Sequence, residues 1–244
     1  MINLDIKKLE KKRDYLILNE DNIIIGFSTA EENRSFNRNT EEGIKELDGI
    51  KNEFNVKELA YLKQIHSDTV YVFDGQESFN DNEGDGIITN KLDTCIGVFT
   101  ADCVPIILID KTLGVVGAVH SGWKGTISGI VKKALEGMKE KFNCKAENIK
   151  IYIGPHIRKC CYEISEELKE RFLKETGIEE KELFAGRNLS MEKVIEKDCL
   201  DFGVKEDNIF SLNLCTYCTE DIKLHSYRKS DGSYGRLFTF VIIK

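Results

Sequence analysis

The sequence predicts an α+β fold in which helices cover a mixed, largely antiparallel set of sheets. Short apolar runs rich in β-branched and aromatic residues, typical of strands, outnumber the amphipathic helical patterns. The links at 66–69, 100–102 and 111–114 are too short for a crossover helix, so we expect the strand pairs that they join to be antiparallel or locally rearranged. Because the chain has two prolines and no Gly/Ser-rich linker, residues 1–244 are expected to form a single domain.

The predicted elements follow one another along the whole chain. Strand patterns occur at 23–28, 59–65, 69–73, 95–100, 106–110, 115–120, 149–154, 209–212 and 237–243, and residues 84–89 form a loop that enters a strand. Helical patterns occur at 40–54, 126–142, 165–176 and 190–202. In the second of these helices apolar residues recur at offsets of three and four, which predicts one buried face formed by Ile127, Ile130, Val131, Ala134, Leu135 and Met138.

Composition argues against several classes of function. The 244 residues include 35 Lys and Arg against 42 Asp and Glu, and this net charge of −7 argues against nucleic acid as the main partner. No apolar run approaches the roughly 20 residues that cross a bilayer, so no membrane-spanning helix is expected. Residues 1–12 lack the apolar core of a secretory signal, and we therefore expect a cytoplasmic protein with reduced thiols.

Three polar loops each place a metal-competent side chain at the end of a predicted strand. These side chains are His66, Cys103 and His120. Two imidazoles and one thiolate predict a tetrahedral zinc site with its fourth position open, which is the arrangement of catalytic rather than structural zinc. An open zinc ion lowers the pKa of bound water to about 7 and polarises substrate oxygens.

The same residues allow two other interpretations. With Cys103 as a thiolate nucleophile and His120 as its base, the protein would be a thiol hydrolase acting on an amide or ester, such as a misincorporated cell-wall precursor. Histidines at strand ends and a cysteine before Val-Pro are also common structural residues, which is compatible with a binding module. The residues alone leave all three interpretations open.

The remaining cysteines include a Cys-x-x-Cys pair, Cys215 and Cys218, and the adjacent pair Cys160 and Cys161. A four-ligand structural zinc site needs two suitably spaced pairs, and adjacent cysteines have the wrong spacing for one of them. A thioredoxin-like motif is expected near the first βαβ unit, whereas this pair lies close to the C-terminus. We therefore expect Cys215 and Cys218 to be structural, with a metal or redox role as the alternative.

Several groups are candidates for binding an anion. Residues 121–126 open a predicted helix, and their two glycines permit a tight turn whose N–H groups face outward. Lys124 adds a point charge there, and Arg228 and Arg236 lie in a predicted hairpin tip near the end of the chain. Asp85, between two glycines, is predicted either to approach a ligand or to form an Asx-turn.

Six motifs together resemble the bacterial laccase-domain family, which has been described as multicopper polyphenol oxidase-like, as a peptidoglycan-editing factor and as a purine nucleoside phosphorylase. The 17-residue spacing between Cys103 and His120 makes the resemblance specific, and it covers about residues 22–243. The motifs are QIHSD (64–68), GDGIIT (84–89), TADCVPI (100–106), AVHSGWKGT (118–126), GPHIRKCCYEI (154–164) and SYRKSDGSYGR (226–236).

The resemblance implies a single α+β domain of the laccase-domain, cysteine-hydrolase-like fold, with zinc bound by His66, Cys103 and His120. The implied activity is zinc-dependent phosphorolysis of adenosine, inosine and S-methyl-5′-thioadenosine, which gives the free base and a ribose 1-phosphate. Adenosine deamination at the same centre is also implied. The expected partners are therefore purine nucleosides and phosphate.

Charge and proximity in the sequence suggest further roles. Asp102, beside Cys103, is predicted to move protons during deamination or to hydrogen-bond a ligand histidine. Lys124 and Arg228 are predicted to bind phosphate, together with the start of the helix at Thr126. Gln64 is predicted to bind substrate.

One stretch departs from the family pattern. Members of the family usually carry Thr-Arg-x-Gly-Gly after the first strand, and that arginine is thought to help bind phosphate; here Ala30 stands in its place. Arg34 and Arg38 are candidate substitutes without a motif match, so deamination is the better supported of the two implied activities. Four histidines are too few for a multicopper cluster, although a single His₂Cys site is able to bind copper in vitro.

Overall fold

The computed structural model describes residues 1–230 and 234–244, and in these residues the chain forms fifteen strands and six α-helices. The strands are β1 (Ile2–Asn3), β2 (Glu10–Lys12), β3 (Tyr15–Glu20), β4 (Ile23–Ser28), β5 (Glu58–Ala60), β6 (Val70–Val72), β7 (Gly86–Thr89), β8 (Thr94–Thr100), β9 (Val104–Asp110), β10 (Val115–Ser121), β11 (Lys150–Ile153), β12 (Phe184–Ala185), β13 (Asn188–Leu189), β14 (Ile209–Ser211) and β15 (Leu237–Ile243).

The helices are α1 (Glu41–Phe54), α2 (Trp123–Ile127), α3 (Ile130–Phe142), α4 (Glu166–Thr176), α5 (Glu180–Leu183) and α6 (Met191–Phe202). Thr40, Ser165 and Ser190, the first residues of three predicted helices, are N-caps whose hydroxyls accept a backbone N–H one turn further on. Among the described helices, none has the length and apolar character needed to cross a bilayer.

Two large mixed sheets form the centre of the fold. The seven-stranded sheet has the order β1-β14-β11-β9-β10-β7-β6, and the six-stranded sheet has the order β2-β3-β4-β15-β8-β5. Antiparallel pairs predominate, and the parallel pairs are β1 with β14, β11 with β14, β6 with β7, and β5 with β8. The predicted α+β class with mixed, largely antiparallel sheets is confirmed.

The two sheets pack face to face, and helices cover their outer faces. Along β9, Ile107 and Ile109 face the core between the sheets, whereas Ile106 and Leu108 face the core under α3 and α6. This alternation is the two-residue period of a strand that is buried on both faces. On the other side, α1 packs against the outer face of the six-stranded sheet. The layers therefore run helix, sheet, sheet, helix.

The predicted helix at 126–142 is two helices in the structure. Gly129 has a φ of +70°, which interrupts the helical hydrogen bonding between α2 and α3 and which glycine adopts without a steric penalty. The predicted buried face is confirmed for Ile130, Val131, Ala134, Leu135 and Met138, which are buried, while Ile127 is partly buried against the same core.

All nine predicted strand segments contain a strand, but two predicted links do not connect paired strands. The link at 111–114 joins β9 and β10, which are antiparallel neighbours as expected. The segments between β5 and β6 and between β8 and β9 instead carry the chain from the six-stranded sheet to the seven-stranded sheet. The hairpin of β2 and β3 was not predicted, nor was the short pair of β12 and β13.

Phenylalanine rings lie over glycines in the six-stranded sheet. Phe240 on β15 is paired with Gly26 on one side and Gly97 on the other. A Cβ atom at Gly26 would lie 2.1 Å from the Phe240 ring, and one at Gly97 would lie 2.3 Å from the Phe238 ring. Because glycine has no side chain at these two positions, the phenylalanine rings can fill the space under α1.

We expect Gly26→Ala to destabilise the protein by about 1–3 kcal/mol, because the new methyl group overlaps the buried Phe240 ring. Urea denaturation followed by circular dichroism measures this free energy of unfolding. Gly49→Ala in α1 is the matched control, since a Cβ atom there meets nothing within 4 Å, and it is expected to leave stability unchanged or raised. Equal stability of the two variants would contradict the packing argument.

Candidate metal centre and its cavity

The predicted metal ligands lie where the chain passes between the two sheets. His66 lies in the crossing between β5 and β6, Cys103 in the crossing between β8 and β9, and His120 near the end of β10. The fold thus brings together two crossing segments and the end of one strand, which are far apart in sequence. One ligand atom from each of the three residues lies within 4.8 Å of the other two.

The donor set fits a tetrahedral ion with an open position. Cys103 Sγ lies 3.8 Å from His66 Nε2, and the two imidazole rings meet edge to face with their centroids 4.9 Å apart. Ligands at the usual zinc distances of about 2.0–2.3 Å lie roughly 3.3–3.8 Å from one another around a tetrahedron. Small side-chain movements are therefore sufficient for all three atoms to share one ion.

The carboxylate of Asp85 holds both histidines. It is fully buried, and its Oδ1 accepts hydrogen bonds from His120 Nδ1 at 2.8 Å and from the backbone N–H of His66 at 3.0 Å. Its Oδ2 accepts from the N–H and the hydroxyl of Ser67. Since His120 Nδ1 is engaged in this way, its Nε2 is left for a metal, as in carboxylate–histidine–metal arrangements.

Sequence reasoning noticed Asp85 but missed this function. Its carboxylate binds an imidazole 35 residues away rather than forming an Asx-turn. The sequence feature that indicated a close approach was the pair of glycines that flank Asp85. A Cβ atom on Gly84 would lie within 3 Å of the Tyr71 side chain, and a Cβ atom on Gly86 would lie within 3 Å of the Val70 side chain. Glycine therefore permits the close approach that buries Asp85.

The ionisation of Cys103 and His120 is coupled. Burial favours the neutral thiol, but the adjacent His120 and His66 outweigh it and lower the pKa of Cys103 to about 6. Burial disfavours the imidazolium, but the Cys103 thiolate and Asp85 outweigh it and raise the pKa of His120 to about 9. The metal-free pair is therefore a thiolate and an imidazolium at neutral pH.

Asp102 does not hydrogen-bond a ligand histidine, so that prediction is wrong; Asp85 has this function. The Asp102 carboxylate accepts from Thr216 Oγ1 at 2.6 Å and from the backbone N–H of Arg228 at 2.7 Å. Its backbone has a φ of +105°, a conformation that side-chain-bearing residues seldom adopt. Asp102 thus fixes the turn before Cys103 and attaches the Arg228 loop to it.

The three ligands open into a cavity of about 430 Å³, a volume within the usual range for small-molecule sites of about 300–1,000 Å³. Its aromatic lining residues are Phe99, Trp123, Tyr162, Tyr227 and Tyr234. Its cationic lining residues are Arg38, Lys63, Arg228 and Arg236, and Asp102 is the one carboxylate among the described lining residues. The cavity is thus cationic within a chain whose net charge is −7.

The predicted binding residues occupy different positions. Gln64 lines the cavity, but its amide exchanges two hydrogen bonds with the Phe99 backbone, at 2.8 and 2.7 Å. Arg228 also lines the cavity, and it donates to the Glu163 carbonyl. Lys124 is exposed, is not a lining residue, and lies over the Trp123 ring at 5.6 Å. The binding functions of these residues stay predictions.

The two candidate substitutes for the missing arginine differ. Arg34 is buried and binds Asp14 and Glu46, away from the cavity lining. Arg38 lines the cavity and donates one hydrogen bond to the Asn80 carbonyl. Asp231, Gly232 and Ser233 of the predicted hairpin tip lie outside the described residues.

The helix does not begin at Thr126. It begins at Trp123 after the N-cap Gly122, and the N–H of Thr126 is already bound to the Gly122 carbonyl. The Thr126 hydroxyl is buried against Ser121 Oγ at 2.8 Å. The helix N-terminus thus lies at Trp123 rather than at Thr126, and anion binding by residues 121–126 stays a prediction. Gly122 instead gives His66 space, since a Cβ atom on it would lie 2.7 Å from His66 Cδ2.

The other two histidines lie outside the centre. His156 is buried and bonded to the Gly154 carbonyl, and His225 is bonded to the Arg34 carbonyl. Two imidazoles and one sulfur make a single mononuclear site, whereas a multicopper centre needs several histidines for each cluster. The ligand count thus agrees with one ion at this centre.

We expect Gly122→Ala to weaken zinc binding at the His66, Cys103 and His120 centre about tenfold or more, because the methyl group displaces the His66 ring. Chelator competition with the purified protein measures the affinity. Gly49→Ala serves as the control and should bind zinc as the unmodified chain does. Unchanged affinity in Gly122→Ala would show that His66 is not a ligand in this geometry.

In metal-free protein, we expect the alkylation rate of Cys103 by iodoacetamide to rise with pH around a midpoint near 6, because the reactive thiolate forms above its lowered pKa. Peptide mass spectrometry after timed alkylation identifies the residue. His120→Ala removes the main cause of the lowering and should move the midpoint upward. A midpoint near 8.5 in the unmodified chain would contradict the thiolate–imidazolium pair.

Known proteins are similar to this chain over most of its length. A family model described as multi-copper polyphenol oxidoreductase laccase matches residues 19–244. A purine nucleoside phosphorylase of Clostridium acetobutylicum is 44% identical over 241 residues, which is 99% of this chain and 100% of that protein. One from Aquifex aeolicus is 38% identical over 195 residues, which is 78% of this chain and 86% of that protein.

Solved structures share the fold at lower identity. The Bacillus licheniformis hypothetical protein YfiH has a TM-score of 0.86 at 20% identity, with 96% of this chain and 98% of that chain covered. YlmD from Geobacillus stearothermophilus has a TM-score of 0.81 at 19% identity, with 97% and 98% covered. Because the family model spans nearly the whole chain, and because the relative from Clostridium acetobutylicum is similar over its full length, this protein belongs to the multi-copper polyphenol oxidoreductase laccase family.

Proposed function

We propose that this protein is a zinc-dependent purine nucleoside phosphorylase acting on adenosine, inosine and S-methyl-5′-thioadenosine. Phosphate replaces the purine at C1′ of the ribose, and the products are the free base and a ribose 1-phosphate. The observation that carries the proposal is a cavity that combines a His₂Cys donor set with aromatic walls and four cations. The names of the relatives, purine nucleoside phosphorylases, support it.

The cations of the cavity supply a phosphate subsite. In the described part of the chain, no carboxylate lies within 4.0 Å of the Arg38, Arg228 or Arg236 guanidinium groups, whose partners are carbonyl and phenol oxygens. A guanidinium binds two phosphate oxygens through parallel N–H donors. We assign the role of the missing arginine at position 30 to Arg38, which reaches the cavity where Arg34 does not.

The aromatic side chains supply the purine subsite. Phe99, Trp123 and Tyr162 line the same cavity as the cations. A flat purine stacks on such rings, and stacking of this kind contributes about 1–3 kcal/mol per base. One wall therefore takes the base, and the cationic groups take the phosphate.

The residues fit zinc, with copper binding possible in vitro. His66, Cys103 and His120 would hold the ion, and imidazole and thiolate ligands in a tetrahedral set suit zinc. When bound, a zinc ion supplies Lewis-acid stabilisation of developing negative charge. Asp85 fixes the orientation of His120, and Asp102 positions the loop of Arg228 beside the ligands. The thiol ligand requires a reducing compartment, which supports a cytoplasmic location.

Adenosine deamination is a second proposed activity of the same centre. Water replaces the amino group at C6, and adenosine gives inosine and ammonia. The open position of the donor set favours this reaction, and it needs no phosphate. The two activities therefore depend differently on the cationic subsite.

A thiol hydrolase using Cys103 and His120 is the competing function. The paired thiolate and imidazolium are compatible with it. The relatives and the cationic cavity favour the nucleoside instead. Product identification from adenosine with and without phosphate, and with and without chelator, separates the two. Turnover that survives chelation and is abolished by iodoacetamide would establish the hydrolase.

We expect Arg38→Ala to raise the KM for phosphate about tenfold or more, since a hydrogen bond to a charged group contributes about 1.5–3 kcal/mol. The KM for the nucleoside and the rate of phosphate-free deamination should change little. Initial rates at varied phosphate concentration measure the effect.

Arg13→Ala is the matched control, because Arg13 is exposed, pairs with Glu32 and Glu53, and does not line the cavity. Its phosphate KM should equal that of the unmodified protein. An unchanged phosphate KM in Arg38→Ala would remove Arg38 from the subsite.

A further inference from the structure

A second cluster of metal-competent side chains lies outside the centre described above. The sulfur atoms of Cys160, Cys161, Cys215 and Cys218 all lie within 4.8 Å of one another. Cys160 Sγ and Cys218 Sγ are 3.5 Å apart, although the residues are 58 positions apart in sequence. The sequence favours a structural function for Cys215 and Cys218, with a metal or redox role as the alternative, because adjacent cysteines do not have the spacing of a zinc-binding pair.

Two segments that lie side by side in the fold bring the four cysteines together despite that spacing. One segment follows β11 and the other follows β14, and they run parallel where His156 pairs with Cys215. The N–H of His156 donates to the Leu214 carbonyl, and the N–H of Thr216 donates to the His156 carbonyl. The turn after His156 then brings the two adjacent cysteines beside the Cys-x-x-Cys turn.

The distances fit one tetrahedral ion. Four sulfurs at the zinc–sulfur distance of about 2.3 Å lie about 3.8 Å from one another. Iron–sulfur clusters bind their cysteines on different iron atoms, so their sulfurs lie further apart than in a mononuclear site. A disulfide has a bond of about 2.05 Å, and all eight cysteines are free thiols in this structure.

The burial of the four sulfurs suits an ion held near the surface. Cys215 is buried and Cys161 is partly buried. Cys160 and Cys218 are exposed, which gives an ion a path from solvent.

We propose that Cys160, Cys161, Cys215 and Cys218 bind a single structural zinc ion, separate from the ion of the catalytic centre. Four protein ligands leave no open position, so this ion has no catalytic function. It joins a segment that lines the cavity to a segment that contacts the cavity residue Asp102. Tyr162, next to Cys161, lines the cavity, and Thr216, next to Cys215, donates to Asp102.

The test is the zinc content of the purified full-length chain after loading with zinc and removal of excess ion. The unmodified protein is expected to contain two zinc ions per chain. His120→Ala should retain one, and the double variant Cys160→Ser/Cys218→Ser should also retain one. Cys199→Ala is the matched control, because Cys199 is a buried cysteine outside both clusters, and it should retain two.

X-ray absorption at the zinc edge of His120→Ala identifies the ligands and does not depend on the folding of the double variant. We expect four sulfur neighbours at about 2.3 Å. A zinc-free His120→Ala protein, nitrogen or oxygen ligands to its zinc, iron in place of zinc, or a mass 2 Da lower from a disulfide would each overturn the proposal. Zinc content is measured without turnover, so the result is independent of whether the protein acts on nucleosides.

Discussion

The buried carboxylate of Asp85 is the interaction on which the candidate metal centre depends. Removing a carboxylate from water is costly unless hydrogen bonds and an opposite charge compensate it. His120 and the N–H groups around His66 and Ser67 provide that compensation. Because one group holds two ligand histidines, the spacing of those histidines is fixed before any ion binds. The loop carrying His66 and the strand carrying His120 therefore behave as one unit.

The position of the centre follows from the arrangement of the sheets. Two stacked sheets require the chain to pass from one to the other, and both crossings at the cavity contain a non-glycine residue with positive φ. These residues are His66 at +60° and Asp102 at +105°. Such conformations persist only where surrounding contacts fix them. At His66 the contact is Asp85, and at Asp102 it is Thr216 together with the Arg228 loop.

Local patterns in the sequence predicted the elements and a set of candidate metal ligands that lie together in the fold, but not which short links pass from one sheet to the other. Apolar alternation identifies a strand such as β8 or β9 without showing whether the link between them stays in one sheet. Gly129 was one residue inside a continuous apolar period, and only its backbone angle divides the helix. Asp85 and the four clustered cysteines act on residues distant in sequence, so neighbouring positions carried little information about them.

A direct connection links the candidate metal centre to the four clustered cysteines. Asp102 precedes Cys103, Thr216 follows Cys215, and the hydrogen bond between the Asp102 and Thr216 side chains is 2.6 Å long. The same carboxylate binds the backbone of Arg228, a cation of the cavity. This side of the cavity is thus held by polar contacts rather than by an apolar core. The position of Thr216 beside Cys215 therefore constrains, through Asp102, both the turn before Cys103 and the backbone of the cavity residue Arg228.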